Sequence, residues 1–216
     1  RQRDVVEAVQ DLNRLENSTV NDPEIATRIA QYELAFRMQT SVPDLMDVSK
    51  ESKSTLELYG TTGGDGSFSA NCLLARRLAE RGCRFIQLYH RDWDHHGAIK
   101  EHVAGTAKEV DRGMYALLTD LKARGMLDDT LVIWGGEFGR TPFIQGDIAN
   151  RAQWGRDHHP YAFTIWMAGA GIKPGISYGA SDEFAFNAVT DPVDVHDFPA
   201  TVLLQLVIDH ERLTVR

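Results

Sequence analysis

Thr130-Leu131-Val132-Ile133-Trp134-Gly135-Gly136-Glu137 is the stretch on which the fold reading turns. Five residues run almost wholly apolar, then stop at two glycines and an acid. A strand with one wet face alternates polar and apolar residues, whereas one covered on both faces does not. Residues 130–134 therefore read as a short strand in the middle of a parallel sheet. Ala162-Phe163-Thr164-Ile165-Trp166-Met167-Ala168 has the same character. Cys83-Arg84-Phe85-Ile86-Gln87-Leu88-Tyr89-His90 is strand-like through its aromatic and branched side chains.

Working outward, these segments alternate with helical patterns. One covers residues 68–81 and closes at Gly82, and a long one covers 100–124 and ends at Gly125. The long one carries Val103, Ala107, Val110, Met114, Leu117 and Leu121 at helical spacing. Toward the N-terminus a helix is expected over 4–16. A second opens at Asp22-Pro23 and stops before Pro43. Residues 41–66 read as an irregular loop, and a last helix is capped by Asp197 with Pro199 in its first turn. Helices alternating with buried strands predict an α/β fold with a mostly parallel sheet. Ligands gather at the carboxyl ends of such strands, and Asp94 and Glu137 both follow one.

With 216 residues the chain is long enough for a single domain over 1–216 or for a large part of a bigger one. Acidic residues outnumber basic ones by 31 to 23, for a net charge of -8, so a nucleic-acid partner has no electrostatic support. No apolar run approaches the ~20 residues of a membrane span. Cys72 and Cys83 match neither a zinc ribbon nor a redox pair, and both read as buried free thiols. Nothing in the sequence speaks to oligomeric state.

Chemistry concentrates in two short stretches, Arg91-Asp92-Trp93-Asp94-His95-His96-Gly97 and Gly155-Arg156-Asp157-His158-His159-Pro160. Five of the eight histidines lie in or beside them. Neutral imidazole with carboxylate suits a divalent ion, with Zn, Ca or Mn as candidates. Asp94 and His96 are two apart, so an extended segment can aim both one way; the competing reading is a solvated loop. Pro160 holds His159 extended, so that one of His158 and His159 can turn inward while its neighbour faces away. Asp157 is either part of that site or a salt-bridged surface acid. Glu137 is either a ligand at a strand end or a surface acid paired to Arg140. Arg140 and Arg156 can clamp a tetrahedral oxyanion, or they are structural ion pairs. Gly63-Gly64-Asp65-Gly66 lacks the Lys-Ser/Thr ending of a phosphate loop, and no Gly-x-Ser-x-Gly elbow supplies a nucleophile.

Residues 131–142, the 155–160 stretch and Asp194-Val195-His196-Asp197-Phe198-Pro199-Ala200-Thr201 together resemble the bacterial family filed as domain of unknown function fifteen-oh-one. That family is usually grouped with the sulfatases and alkaline-phosphatase-like enzymes. The resemblance implies a three-layer α/β/α sandwich around a mostly parallel sheet, of which this chain looks like the C-terminal half. It implies a metal-dependent hydrolase of sulfate or phosphate esters acting on a small-molecule or glycan ester, with an export signal and a nucleophile segment preceding residue 1. By motif position Asp94 and His96 look like a ligand pair, Glu137 like a further ligand, and His158 or His159 like the late histidine. His95 stands where relatives tend to have threonine, and Glu137-Phe138 supplies one ligand where the wider group often has two. A non-catalytic metal- or glycan-binding module of the same fold is the alternative.

Overall fold

The computed structural model describes residues 7–15 and 23–214. The chain divides into two compact units, residues 1–50 and 51–216. In the first, residues 7–15 form helix α1 and Pro23–Met46 form α2. The predicted cap Asp22 and the outer ends of the first predicted helix lie outside the described residues. Helix α2 runs through Pro43 instead of stopping before it. Proline removes one donor from the ladder, and the turn beyond is held by the Asp47 amide donating to the Pro43 carbonyl at 3.0 Å.

The second unit opens with a helix where the sequence predicts a loop. Helix α3, Lys53–Tyr59, starts at Ser52, whose hydroxyl accepts from the Thr55 amide at 3.0 Å, and ends at Gly60 in the left-handed region. The loop expectation follows the glycines at 63–66 and misses this seven-residue element between its own two caps. Helix α4, Phe68–Glu80, is capped by Ser67, which Asp65 holds through a 2.6 Å hydrogen bond. The bonds from Ser67 and Thr61 keep the Asp65 carboxyl ionised, with a pKa of about 2. The glycine-rich segment is thus the approach to a helix cap. Helix α5, Ile99–Ala123, crosses α4 closely at Gly113, where a Cβ would lie 3.0 Å from Ser69 Cα.

Helices α3, α4 and α5 hold every buried apolar side chain among the described residues: Tyr59, Ala70, Cys72, Leu73, Ala75, Val110, Ala116 and Leu121. A charged network lies inside the same packing. Arg76, 2% exposed, meets Glu51 and Glu80 at 2.6 Å and Asp120 at 3.0 Å. Arg77 also pairs with Glu51, Arg124 with Asp120 and Glu80, and the Tyr59 hydroxyl donates to Asp120 at 3.2 Å. Of the two thiols, Cys72 is buried and desolvation pushes its pKa up to about 12. Cys83 is only half-buried, because the segment that follows it is not covered.

Beyond α5 the strands are short and antiparallel. Strand β1, Val132–Trp134, pairs with β4, Trp166–Ala168; β2, Gly139–Arg140, pairs with β3, His158–His159; β5, Ala180–Ser181, pairs with β6, Ala188–Thr190. The predicted strands at 130–134 and 162–168 shrink to three residues each, and Ile133 and Trp134 are exposed. Residues 84–90 form no strand. Their burial still alternates: Ile86, Leu88 and His90 are half-buried while Phe85, Gln87 and Tyr89 are exposed. This is the pattern of extended chain without a neighbour to complete its ladder. Helix α6 is Asp197–Gln205; Asp197 is its first residue and accepts from the Asp194 amide at 2.9 Å, so it ties the entry turn instead of capping from outside.

Candidate metal centre

The segment leading into α5 bends sharply at Asp92, whose φ is 64°. Two tight turns follow, with the His95 amide donating to the Trp93 carbonyl at 3.1 Å and the His96 amide to the Asp94 carbonyl at 3.2 Å. Asp94 and His96 therefore face outward together, while His95 goes the other way. His95 is buried, 3.3 Å from the Thr106 hydroxyl of α5 and against the rings of Trp93 and His102. Burial, with His102 beside it, lowers the pKa of its imidazole. Local packing thus explains why an imidazole stands between the two outward residues.

A second segment is laced onto the first by backbone bonds. The Arg156 amide donates to the His95 carbonyl at 3.2 Å, and the Ile99 amide, at the start of α5, donates to the Trp154 carbonyl at 2.9 Å. Gly155 sits between these bonds, where a Cβ would come within 2.0 Å of the His96 carbonyl carbon and oxygen. Only glycine permits that approach. The lacing carries β3 to the site, and β2 comes with it, because Arg140 is the register partner of His158.

Three side chains then converge. Asp94 Oδ1 lies 2.8 Å from His158 Nε2 and 2.9 Å from His96 Nε2, and the two Nε2 atoms are 3.2 Å apart. Arg140 donates through Nη1 to the same Asp94 oxygen at 2.5 Å and through Nη2 to the Trp93 carbonyl at 3.3 Å. The hydrogen bond from His158, then that from Arg140, holds the Asp94 carboxyl down at about 2, so it is ionised at any ordinary pH. Phe138 backs the group, its ring 4.4 Å from that of His158.

The donor set fits a divalent cation. An ion about 2.0–2.1 Å from each of several tetrahedrally placed donors spaces them about 3.3 Å apart. The three edges observed, 2.8 to 3.2 Å, are close to that triangle. Two imidazoles and a carboxylate are donors of the kind such an ion takes.

The other residues singled out in the sequence take different places. Asp157 stands behind the group: its carboxylate accepts from the His158 amide at 2.8 Å and lies 3.9 Å from His96 Nδ1. His159 points to the opposite side of β3, buried, with Nε2 donating to the Phe186 carbonyl at 2.5 Å. Glu137 is exposed and stands outside the converging group. The chain bends at Glu137 and Phe138, and it is Phe138 that faces His158. Arg156 is exposed. One contributor escapes sequence reasoning altogether: Gln145, whose side-chain oxygen is 2.7 Å from His96 Nδ1. A lone glutamine in a loop carries no motif.

The chain belongs to the family described as a protein of unknown function, DUF1501, which matches it over residues 1–216. No curated protein and no solved structure matches the chain. Among the described residues no helix is long and apolar enough to cross a membrane.

Proposed function

We propose that Asp94, His96 and His158 hold a divalent cation, with Zn, Ca or Mn as candidates, and that the chain serves hydrolysis of sulfate or phosphate esters. The observation that carries the reading is the triangle of ligand atoms from segments 62 and 64 residues apart, all facing one point. Held by these three residues, a cation would supply Lewis acidity and would lower the pKa of a water bound to it. Arg140 offsets the charge of Asp94 and orients it. Arg156 is the guanidinium open to solvent and suited to an anionic ester group. Membership of the sulfatase and alkaline-phosphatase-like superfamily, a three-layer α/β/α sandwich with a mostly parallel sheet, and export from the cytoplasm belong to the same proposal. The extended residues 84–90, alternating in burial and lacking a ladder, support a larger sheet than the short pairs seen among the described residues.

One observation favours a second reading, a metal- or glycan-binding module without catalysis. Thr141, the hydroxyl beside Arg140, is committed to the Asp157 amide and the Phe143 carbonyl, and both Arg140 contacts are internal. Metal content and titration of the purified chain, followed by a panel of aryl sulfates and aryl phosphates on the form that carries the proposed nucleophile segment, separate the two. Metal-dependent turnover supports the hydrolase. Tight metal binding without turnover of any ester supports the module, and absence of metal binding defeats the hydrolase and the metal-binding form of the module.

A further inference from the structure

Resting on the cation reading, we infer that Gln145 is a positioning residue that sets the tautomer of His96 and so presents a bare Nε2 to the ion. Two oxygens face His96 Nδ1: the Gln145 amide oxygen at 2.7 Å and the Asp157 carboxylate at 3.9 Å. Amide and carboxylate oxygens only accept hydrogen bonds, so Nδ1 carries the proton and donates it to Gln145. A neutral imidazole has one N–H, so Nε2 is then a lone pair aimed at Asp94 Oδ1 and His158 Nε2. Two lone pairs facing each other at 2.9 Å repel unless something positive lies between them. In the metal-free protein the His158 Nε2 proton serves that purpose, lying within hydrogen-bond distance of both. A cation bound at the centre would take that place, with the His158 proton moving to Nδ1 or to solvent.

The backbone holds Gln145 to this task. Its amide donates to the Gly155 carbonyl at 2.8 Å, and its carbonyl accepts from the Gly155 amide at 3.0 Å. Gly155 is the residue packed on the His96 carbonyl. The segment that seats His96 from behind therefore also fixes the oxygen that selects its proton. Residues that orient a ligating histidine in this way typically contribute 10- to 100-fold to metal affinity, so a loss of about that size is expected here.

The test uses the whole chain with two substitutions, Gln145→Leu, which removes the acceptor, and Gln145→Glu, which keeps one. Long-range ¹⁵N correlation of the histidine rings in the metal-free protein reads the tautomer, and Zn²⁺ titration calorimetry reads affinity. In the parent chain His96 is expected with Nδ1 protonated. Gln145→Leu mixes the tautomers and weakens Zn²⁺ binding by about 10- to 100-fold, with an unchanged circular dichroism spectrum. Gln145→Glu stays nearer the parent in both. A parent His96 protonated at Nε2, or Gln145→Leu leaving both readouts unmoved, overturns the inference. A parent chain with the expected tautomer that takes up no Zn²⁺ defeats the cation reading instead, and leaves the tautomer assignment to Gln145 standing.

Discussion

The α3–α5 helices and the loops around Asp94 are held together by different means. The helical side has a closed apolar core around Leu73 and Leu121 and a buried charge network centred on Arg76. The candidate-site side has neither among the described residues. From residue 130 on, the buried side chains among the described residues are Thr141 and His159. What holds the centre is backbone lacing: the 145–155 bridge, the Arg156 amide on the His95 carbonyl, and the start of α5 on Trp154. Substitutions on the helical side should therefore change stability and leave the ligand geometry intact. Substitutions on the laced side should alter the ligand geometry while the helical core stays folded.

The largest effect expected is on stability. Arg76→Ala removes the central cation from Glu51 and Asp120, each 8% exposed at the side chain. Arg77 and Arg124 still face them, so the cost approaches but does not exceed the about 3–5 kcal/mol of a broken buried pair. Chemical denaturation checks this. If the folded fraction also loses metal affinity, the two regions are coupled and the contrast fails. Next comes His158→Ala, which removes a proposed ligand. Zn²⁺ affinity should fall by more than the ~100-fold typical of a supporting residue, while stability moves by less than about 0.5 kcal/mol. A large drop in the melting temperature would mean that the triangle is a structural tie.

Gly155→Ala sharpens the comparison, since it acts on the lacing and on neither core nor ligand. Its Cβ has no room against the His96 carbonyl, and crowding of this kind costs about 1–3 kcal/mol. Calorimetry should show weakened Zn²⁺ binding with the helical signal retained. The smallest effect concerns acid. Burial raises the Glu51 carboxyl, but hydrogen bonds from Arg76 and Arg77 outweigh it and leave the pKa lowered. Its stabilisation is complete above the ordinary glutamate value near ~4.3 and fades as pH falls through the lower folded value. Glu51→Gln should flatten that acid limb, and a pH series of urea melts in which it did not would place the acid sensitivity elsewhere.

How much could be read in advance follows from the range of each interaction. Helices α4 and α5 are legible almost to the residue, because the stops at Gly82 and Gly125 and apolar spacing act within a few positions. The run through Pro43 and the short α3 are not, since one depends on bonds on either side of a missing donor and the other on two caps seven residues apart. The strands are legible only as apolar segments. Their length and direction depend on which backbone lies alongside, and residues 84–90 have extended, alternating character with no ladder.

The site divides in the same way. The sequence marked Asp94, His96, Glu137, Asp157, His158 and His159 as ligand-type residues, because imidazole and carboxylate carry their chemistry wherever they stand. That Asp94, His96 and His158 meet, that His159 and Glu137 do not join them, and that Gln145 faces His96 Nδ1 were decided by the tertiary structure. Convergence across more than sixty residues is set by the register of Arg140 against His158 and the bare backbone of Gly155, and neither is a property of any local stretch of chain.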